Sequence, residues 1–404
     1  MRAETKLSLQ GAGSFLSAAD CQKFIFIIDN ISTAFAVAIM AKGQAIHCIY
    51  ECKEITWRKA DYVALFDFIL SDVTFISKEV ISVPHPYLRP SKTLLGRVVG
   101  QIKFARSLRK RHTLDSSRTY VSSIVSSLLI ANKRHIKSIL IDEGMSSLTA
   151  RNRITFYGNR LAERLTIAIG ERVLSFQFPT STPQITLTND PHPSVIQSLD
   201  YRDFDSRAFS LALGRLNALM DRGKHNVLVL LKGPSAGAAG HHDEADQYGD
   251  DNAMFNLRAI MAFMNQLPGD VAPTFFLKSH PSLGSSSGKL TKLINALESQ
   301  QIVAFDALNH IDFDEASSLP AEGLLRYMNF EYVLALDATS VIWNVAYRGG
   351  VKCYMPLKDI VEFLEIEDSI HIKLYRLQDR INQLLGGHVH YYDIGKDEKR
   401  WTGK

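Results

Sequence analysis

Short rows of apolar residues, each followed by polar or glycine-rich residues and then by a helix-like pattern, recur along this chain. Lys23–Ile28 and Asn226–Leu231 are the clearest. A strand that is apolar at nearly every position must be buried on both faces, and a parallel sheet covered by helices supplies that environment. Val73–Ser77, Lys137–Ile141, Thr274–Leu277 and Tyr332–Leu336 read as further strands. Ile31–Ala41, Phe209–Met220, Ala253–Leu267, Lys289–Leu297 and Ser340–Tyr347 read as helices between them. In the third of these, Met254, Leu257, Met261 and Met264 recur at helical spacing, the pattern of a core stripe. Strands alternating with helices predict an α/β fold of βαβ units.

A chain of 404 residues is too long for one ordinary core. Between Phe176 and Asp205 the texture turns to Pro, Thr, Ser and Asp, with Pro179, Pro183, Pro191 and Pro193 close together. That stretch reads as a connector, after which the alternation restarts. The expectation is a pair of Rossmann-like lobes with a cleft between them: residues 1–200, residues 201–375, and a segment 376–404 that packs back on the first lobe. Open sheets of this type take ligands at the carboxyl ends of their strands, so the loops that directly follow strands carry the most weight.

Apolar residues at 46% and charged residues at 22% are those of a globular protein. No apolar stretch is long enough to span a bilayer, and residues 5–20 lack a secretory pattern, so a cytoplasmic location is expected. The four cysteines, Cys21, Cys48, Cys52 and Cys353, form no CxxC pair. His47, Cys48 and Cys52 cluster without a fourth ligand, so no metal is expected. The net charge of +4 is unevenly placed, with Arg106, Arg109, Lys110, Arg111 and His112 in one dense run. Residues 104–112 therefore read either as a solvated helix face or as a contact for an anionic inner-membrane surface or an acidic acceptor. Without interleaved aromatics the run does not suggest nucleic acid.

Four polar groups stand at strand ends or beside them. Asp142-Glu143-Gly144 directly follows a strand, and two adjacent carboxylates tend to raise one another's pKa toward the range of a general base; a helix cap or a solvated turn is the plainer alternative. Lys278-Ser279-His280-Pro281 ends another strand and places two potential cations at a sheet edge, as against a surface His-Pro turn. Thr339-Ser340 opens a helix, where hydroxyls and free backbone N–H groups suit a phosphate as readily as they make an ordinary N-cap. Glu322, in Pro320-Ala321-Glu322, could accept hydrogen bonds from ribose hydroxyls or be solvated surface. Gly233-Pro234-Ser235-Ala236-Gly237, after Lys232 at the end of a strand, is not GxGxxG and reads as a cleft-facing loop with backbone contacts to a nucleotide, so that Lys232, Gly233 and Ser235 are donor-binding candidates. Gly284–Lys289 is one residue short of a phosphate-binding loop and lacks its Ser or Thr. The acidic stretch Asp243–Asp251 reads as a solvated lid ahead of the helix at Ala253.

Taken in order, the acidic-acidic-Gly turn at Asp142, the Lys-x-His-Pro strand end, the Pro-x-Glu segment and the paired hydroxyls at Thr339-Ser340 resemble bacterial sialyltransferases and polysialyltransferases of the GT-B fold. The resemblance implies transfer of a CMP-activated nonulosonate to a glycan acceptor with no cofactor. Asp142 would be the general base, with Glu143 a possible second carboxylate. His280, with Pro281, would meet the CMP phosphate and assist its departure, and Lys278 would support the same charge. Thr339 and Ser340 would hydrogen-bond the phosphate and Glu322 would hold the ribose. Base and phosphate site fall in different lobes, so cleft closure would assemble them. Thr-Ser departs from the family's usual Ser followed by Ser or Thr. A CMP-Kdo or other nucleotide-sugar transferase, and a non-catalytic sugar-nucleotide- or glycan-binding protein, are the alternatives.

Overall fold

The computed structural model describes residues 23–54, 62–84, 94–123, 126–141, 182–187, 193–220, 225–231, 244–268, 272–279, 287–314, 316–336, 345–346, 348–356, 382, 386–392 and 394. The chain divides between Ala208 and Phe209 into two compact units, each built on its own parallel sheet.

The first sheet comprises β1 (Phe24–Ile28), β2 (Ala45–Glu54), β3 (Thr74–Pro84), β4 (Thr119–Ser123), β5 (Lys137–Ile141), β6 (Gln184–Thr186) and β7 (Val195–Ser198), in the order β3-β2-β1-β4-β5-β6-β7. Its helices are α1 (Ile31–Met40), α2 (Tyr62–Ile69), α3 (Leu94–Arg111) and α4 (Ser127–Asn132). Alternation along the strands splits the core. Ile27, Ile49, Ile81, Val83, Tyr120 and Leu140 face α3 and α4, where Leu108, Leu128 and Leu129 close the layer. Tyr50 turns the other way onto Phe66 of α2.

The second unit opens with α5 (Arg207–Ala212) and α6 (Gly214–Ala218), followed by β8 (Asn226–Leu230), α7 (Glu244–Met264), β9 (Thr274–Lys278), α8 (Ser287–Ser299), β10 (Val303–Asp306), α9 (Ala321–Tyr327), β11 (Tyr332–Ala335), β12 (Lys352–Met355) and β13 (Val389–Tyr391). Its strand order is β10-β9-β8-β11-β12-β13, the doubly wound order of a Rossmann sheet. Val227, Val229, Phe275, Leu277, Tyr332 and Leu334 pack with Phe255, Ala259 and Phe263 of α7 and with Leu293 and Leu297 of α8. Phe276 points to the opposite face, against Phe305 and Phe330.

Several local expectations change. The stretch read as a connector supplies β6 and β7, because its few apolar residues, among them Ile185 and Leu187, are buried against the first sheet. The acidic stretch expected to be a lid is helical from Glu244 onward, the start of α7. Of the methionine stripe, Leu257, Met261 and Met264 pack against the core beside buried Phe255, Ala259 and Phe263, while Met254 is exposed. The helix expected over Phe209–Met220 is broken at Leu213. There the Asp312 amide takes the Ala212 carbonyl at 2.9 Å, which removes an acceptor from the helical ladder. Of residues 376–404 the structure describes a short stretch. Val389–Tyr391 pairs with β12, and the Tyr392 hydroxyl donates to the Ala259 carbonyl at 2.9 Å, inside the second core.

Candidate active site at the carboxyl edge of the second sheet

In a doubly wound sheet the strand order reverses at one point, and the crevice there is outside the carboxyl ends. In the second unit that point is the β8–β11 pair. Both neighbours of β8 stay paired with it to its end: the Leu231 amide donates to the Lys278 carbonyl of β9 at 3.0 Å, and on the β11 side the Leu336 amide donates to the Leu230 carbonyl at 2.9 Å. Leu230 lies in register with Lys278 and with Ala335, so Lys278 ends the strand beside the switch point.

The direction of Lys278 follows from its strand. Phe275 and Leu277 face α7 and α8, and Phe276 faces the other way, so Lys278 shares the Phe276 face. On that side α9 runs toward β11 and begins near the carboxyl edge, with Glu322 in its first turn. The structure brings the two residues together. Lys278 and Glu322 are both buried, and burial lowers the Lys278 pKa to about 8 while the Glu322 carboxylate acts to raise it. Taking an ammonium out of water costs several kcal/mol, and a neighbouring carboxylate offsets part of that cost.

Gly323, next to Glu322, is a packing requirement. A Cβ there would lie 2.5 Å from Cζ of Phe209, a ring that also stacks on Tyr327 at 5.9 Å. The glycine lets α9 sit down on α5, which fixes the height of Glu322 at the sheet edge.

Asp142, Glu143, Lys232, Gly233, Ser235, His280, Pro281, Thr339 and Ser340 lie outside the described residues. In the chain, Asp142 follows the last residue of β5, Lys232 and His280 each come two residues after their strands end, and Thr339 comes four residues after β11.

The first sheet holds a polar cluster that sequence reasoning missed. Its switch point lies between β1 and β4, and buried Asp29 stands there at the end of β1. Ser123 Oγ donates to Asp29 Oδ2 at 2.7 Å, and Thr33 Oγ1 to Oδ1 at 3.2 Å. The signal was present as an aspartate directly after an apolar strand, the same pattern that singled out Asp142. Glu51, on β2, is a second buried carboxylate. It accepts from the Ser126 hydroxyl at 2.7 Å and from the Ser127 and Leu128 amides at 2.8 and 3.0 Å, so it caps α4.

Among the described residues no group of three His, Cys, Asp or Glu side chains is placed to hold a metal. Along β2, His47 and Cys48 point to opposite faces. His47 Nδ1 is 2.8 Å from Ser77 Oγ, and burial raises the Cys48 pKa. No helix among the described residues is long and apolar enough to cross a membrane.

No protein-family model matches the chain, and no curated protein matches it. Among solved structures it is similar to the glycosyltransferase SsfS6 of Streptomyces sp. SF2575, determined with thymidine diphosphate. That match has 10% identity, 91% of this chain and 94% of that one covered, and a TM-score of 0.35. The E. coli ADP-heptose lipopolysaccharide heptosyltransferase II gives 11% identity, 90% and 98% coverage, and a TM-score of 0.30. Likeness at that level says nothing of substrate; the description of each unit as Rossmann-like rests on its own strand order.

Proposed function

We propose that the protein is an inverting, metal-independent glycosyltransferase of GT-B form. It would move sialic acid or a related nonulosonate from its CMP donor to a glycan hydroxyl, in capsule or lipooligosaccharide synthesis. The observation that carries the reading is the buried Lys278–Glu322 pair at the carboxyl edge beside the β8–β11 switch point. A desolvated ammonium there suits a phosphate, and the carboxylate beside it suits a ribose hydroxyl.

In the proposed reaction the acceptor oxygen bonds to the anomeric carbon as the bond from that carbon to the phosphate oxygen breaks. Asp142 takes the proton of the acceptor hydroxyl. Negative charge developing on the departing CMP is met by Lys278, by His280 with Pro281, and by Thr339 and Ser340; backbone and side chains of Lys232, Gly233 and Ser235 line the nucleotide. Donors fixed in advance around that charge do the work a metal does elsewhere.

CMP release from CMP-sialic acid, measured with a panel of glycan acceptors in the presence of a chelator, tests the reading. Asp142→Asn is expected to abolish transfer and leave CMP binding close to wild type, while His280→Ala weakens both. Turnover of CMP-Kdo but not of CMP-sialic acid would overturn the donor assignment. Binding of CMP without release from any donor would make the protein a sugar-nucleotide-binding protein.

A further inference from the structure

We infer that the first unit carries a composite cationic surface, formed where the ends of α3 and α4 meet, that docks the protein on an anionic phospholipid bilayer. The inference is independent of the transfer reaction. Charge is segregated along the chain: residues 94–141 hold ten Lys and Arg against a single acidic residue, Asp115, a net of +9. The whole chain carries only +4, so everything outside this segment is net negative.

The fold concentrates the positive charge further. Buried Asn132, at the end of α4, donates from Nδ2 to the carbonyls of His112 at 3.1 Å and Leu128 at 3.0 Å. Its Oδ1 accepts the Leu114 amide at 3.3 Å. One side chain thereby staples the exit of α4 to the exit of α3. On the α3 side Arg106, Arg109, Lys110 and Arg111 are exposed; on the α4 side Arg134 and Lys137 are exposed. The intervening Lys133 has its pKa lowered, first by burial and then by Arg134, as expected where like charges crowd. Asp115, the only acid in the segment, is held by the amide and hydroxyl of Ser117 at 2.9 and 2.7 Å.

The position favours a bilayer over an acidic polymer acceptor. Thr119 and Lys137 open β4 and β5, so this surface borders the amino edge of the sheet. Five-residue strands separate it by about 17 Å from the carboxyl edge, where such sheets bind ligands. The proposed docking is by charge, and none of the large apolar side chains that are exposed among the described residues belongs to this segment. Such binding weakens steeply with salt.

Co-sedimentation of the full chain with phosphatidylcholine vesicles, with and without about one third phosphatidylglycerol, is the test. Binding is expected only to the anionic vesicles and is expected to be lost in high salt. At roughly fivefold in partitioning per basic residue, R109E/K110E/R111E and K133E/R134E should each lower binding by at least about tenfold. Thermal unfolding of R109E/K110E/R111E should match wild type, since its substituted side chains are exposed, and that of K133E/R134E, where Lys133 is half-buried, checks that the variant is folded. Wild-type binding by K133E/R134E would overturn the composite surface, and equal binding to neutral vesicles would overturn its electrostatic basis. Retention on polysialic acid or DNA without vesicle binding would hand the surface to a polymer partner instead.

Discussion

A lysine ammonium placed under a sheet edge, as Lys278 is, can be recognised by two opposite responses to pH. Its pKa of about 8 in the fold lies below the ordinary 10.5. Between those values the unfolded chain binds more protons than the folded one, so this group makes stability rise with pH across that window. CMP binding should respond the other way. The phosphate is fully ionised well below pH 8, so affinity should be level below about 8 and fall up to about tenfold per unit above it, with uptake of a proton on binding. Calorimetry in buffers of different ionisation enthalpy reads that uptake, and its absence would remove Lys278 from the phosphate site. Lys278→Met should cost about ten- to a hundredfold in CMP affinity. It should also destabilise the fold by roughly 3 kcal/mol by leaving Glu322 buried beside an apolar side chain, and adding Glu322→Gln should restore part of that stability but none of the affinity, as chemical denaturation and titration would show.

Elements hold these groups at their heights. Gly323→Ala would drive a methyl into the Phe209 ring, and because an aromatic ring cannot fold away, α9 must shift. The expected result is a loss of about 1–3 kcal/mol in unfolding free energy together with weaker CMP binding, since Glu322 moves with the helix. Which elements exist was largely legible from pattern: the apolar rows at Phe24–Ile28, Lys137–Ile141 and Asn226–Leu230 are strands, and Ile31–Met40 is a helix. Where pattern failed, a longer-range contact decided. Gln184–Thr186 and Val195–Ser198 are too short and too polar to announce themselves, and they are strands because a sheet edge pairs with them. Leu213 ends a helix because the amide of Asp312, remote in sequence, takes a carbonyl there. Asp29 and Glu51 escaped notice for the same reason. A lone acid after apolar residues acquires its meaning from Ser123, or from the start of α4, which sequence distance hides.

At the scale of the whole molecule, two sheets with separate cores mean that a nucleotide held at the second sheet should stabilise that unit directly. Hydrogen exchange with and without CMP is expected to show protection in peptides covering Thr274–Ser279 and Ala321–Tyr327, and little change in those covering β1–β5. At a hundredfold excess over Kd the protected segments should gain up to about 2.7 kcal/mol. Protection confined to the first unit would place the nucleotide elsewhere. Strand and helix periodicity, the doubling of the βα pattern and the asymmetric charge of residues 94–141 were set by the amino-acid sequence alone, because they depend on composition and local spacing. The meeting of Lys278 with Glu322, the joining of Arg109–Arg111 to Lys133–Arg134 through Asn132, and the capture of Val389–Tyr391 by the second sheet were decided only by tertiary structure. Each joins residues that are distant in the chain, and the burial and hydrogen bonding that bring such residues together leave no local periodic trace.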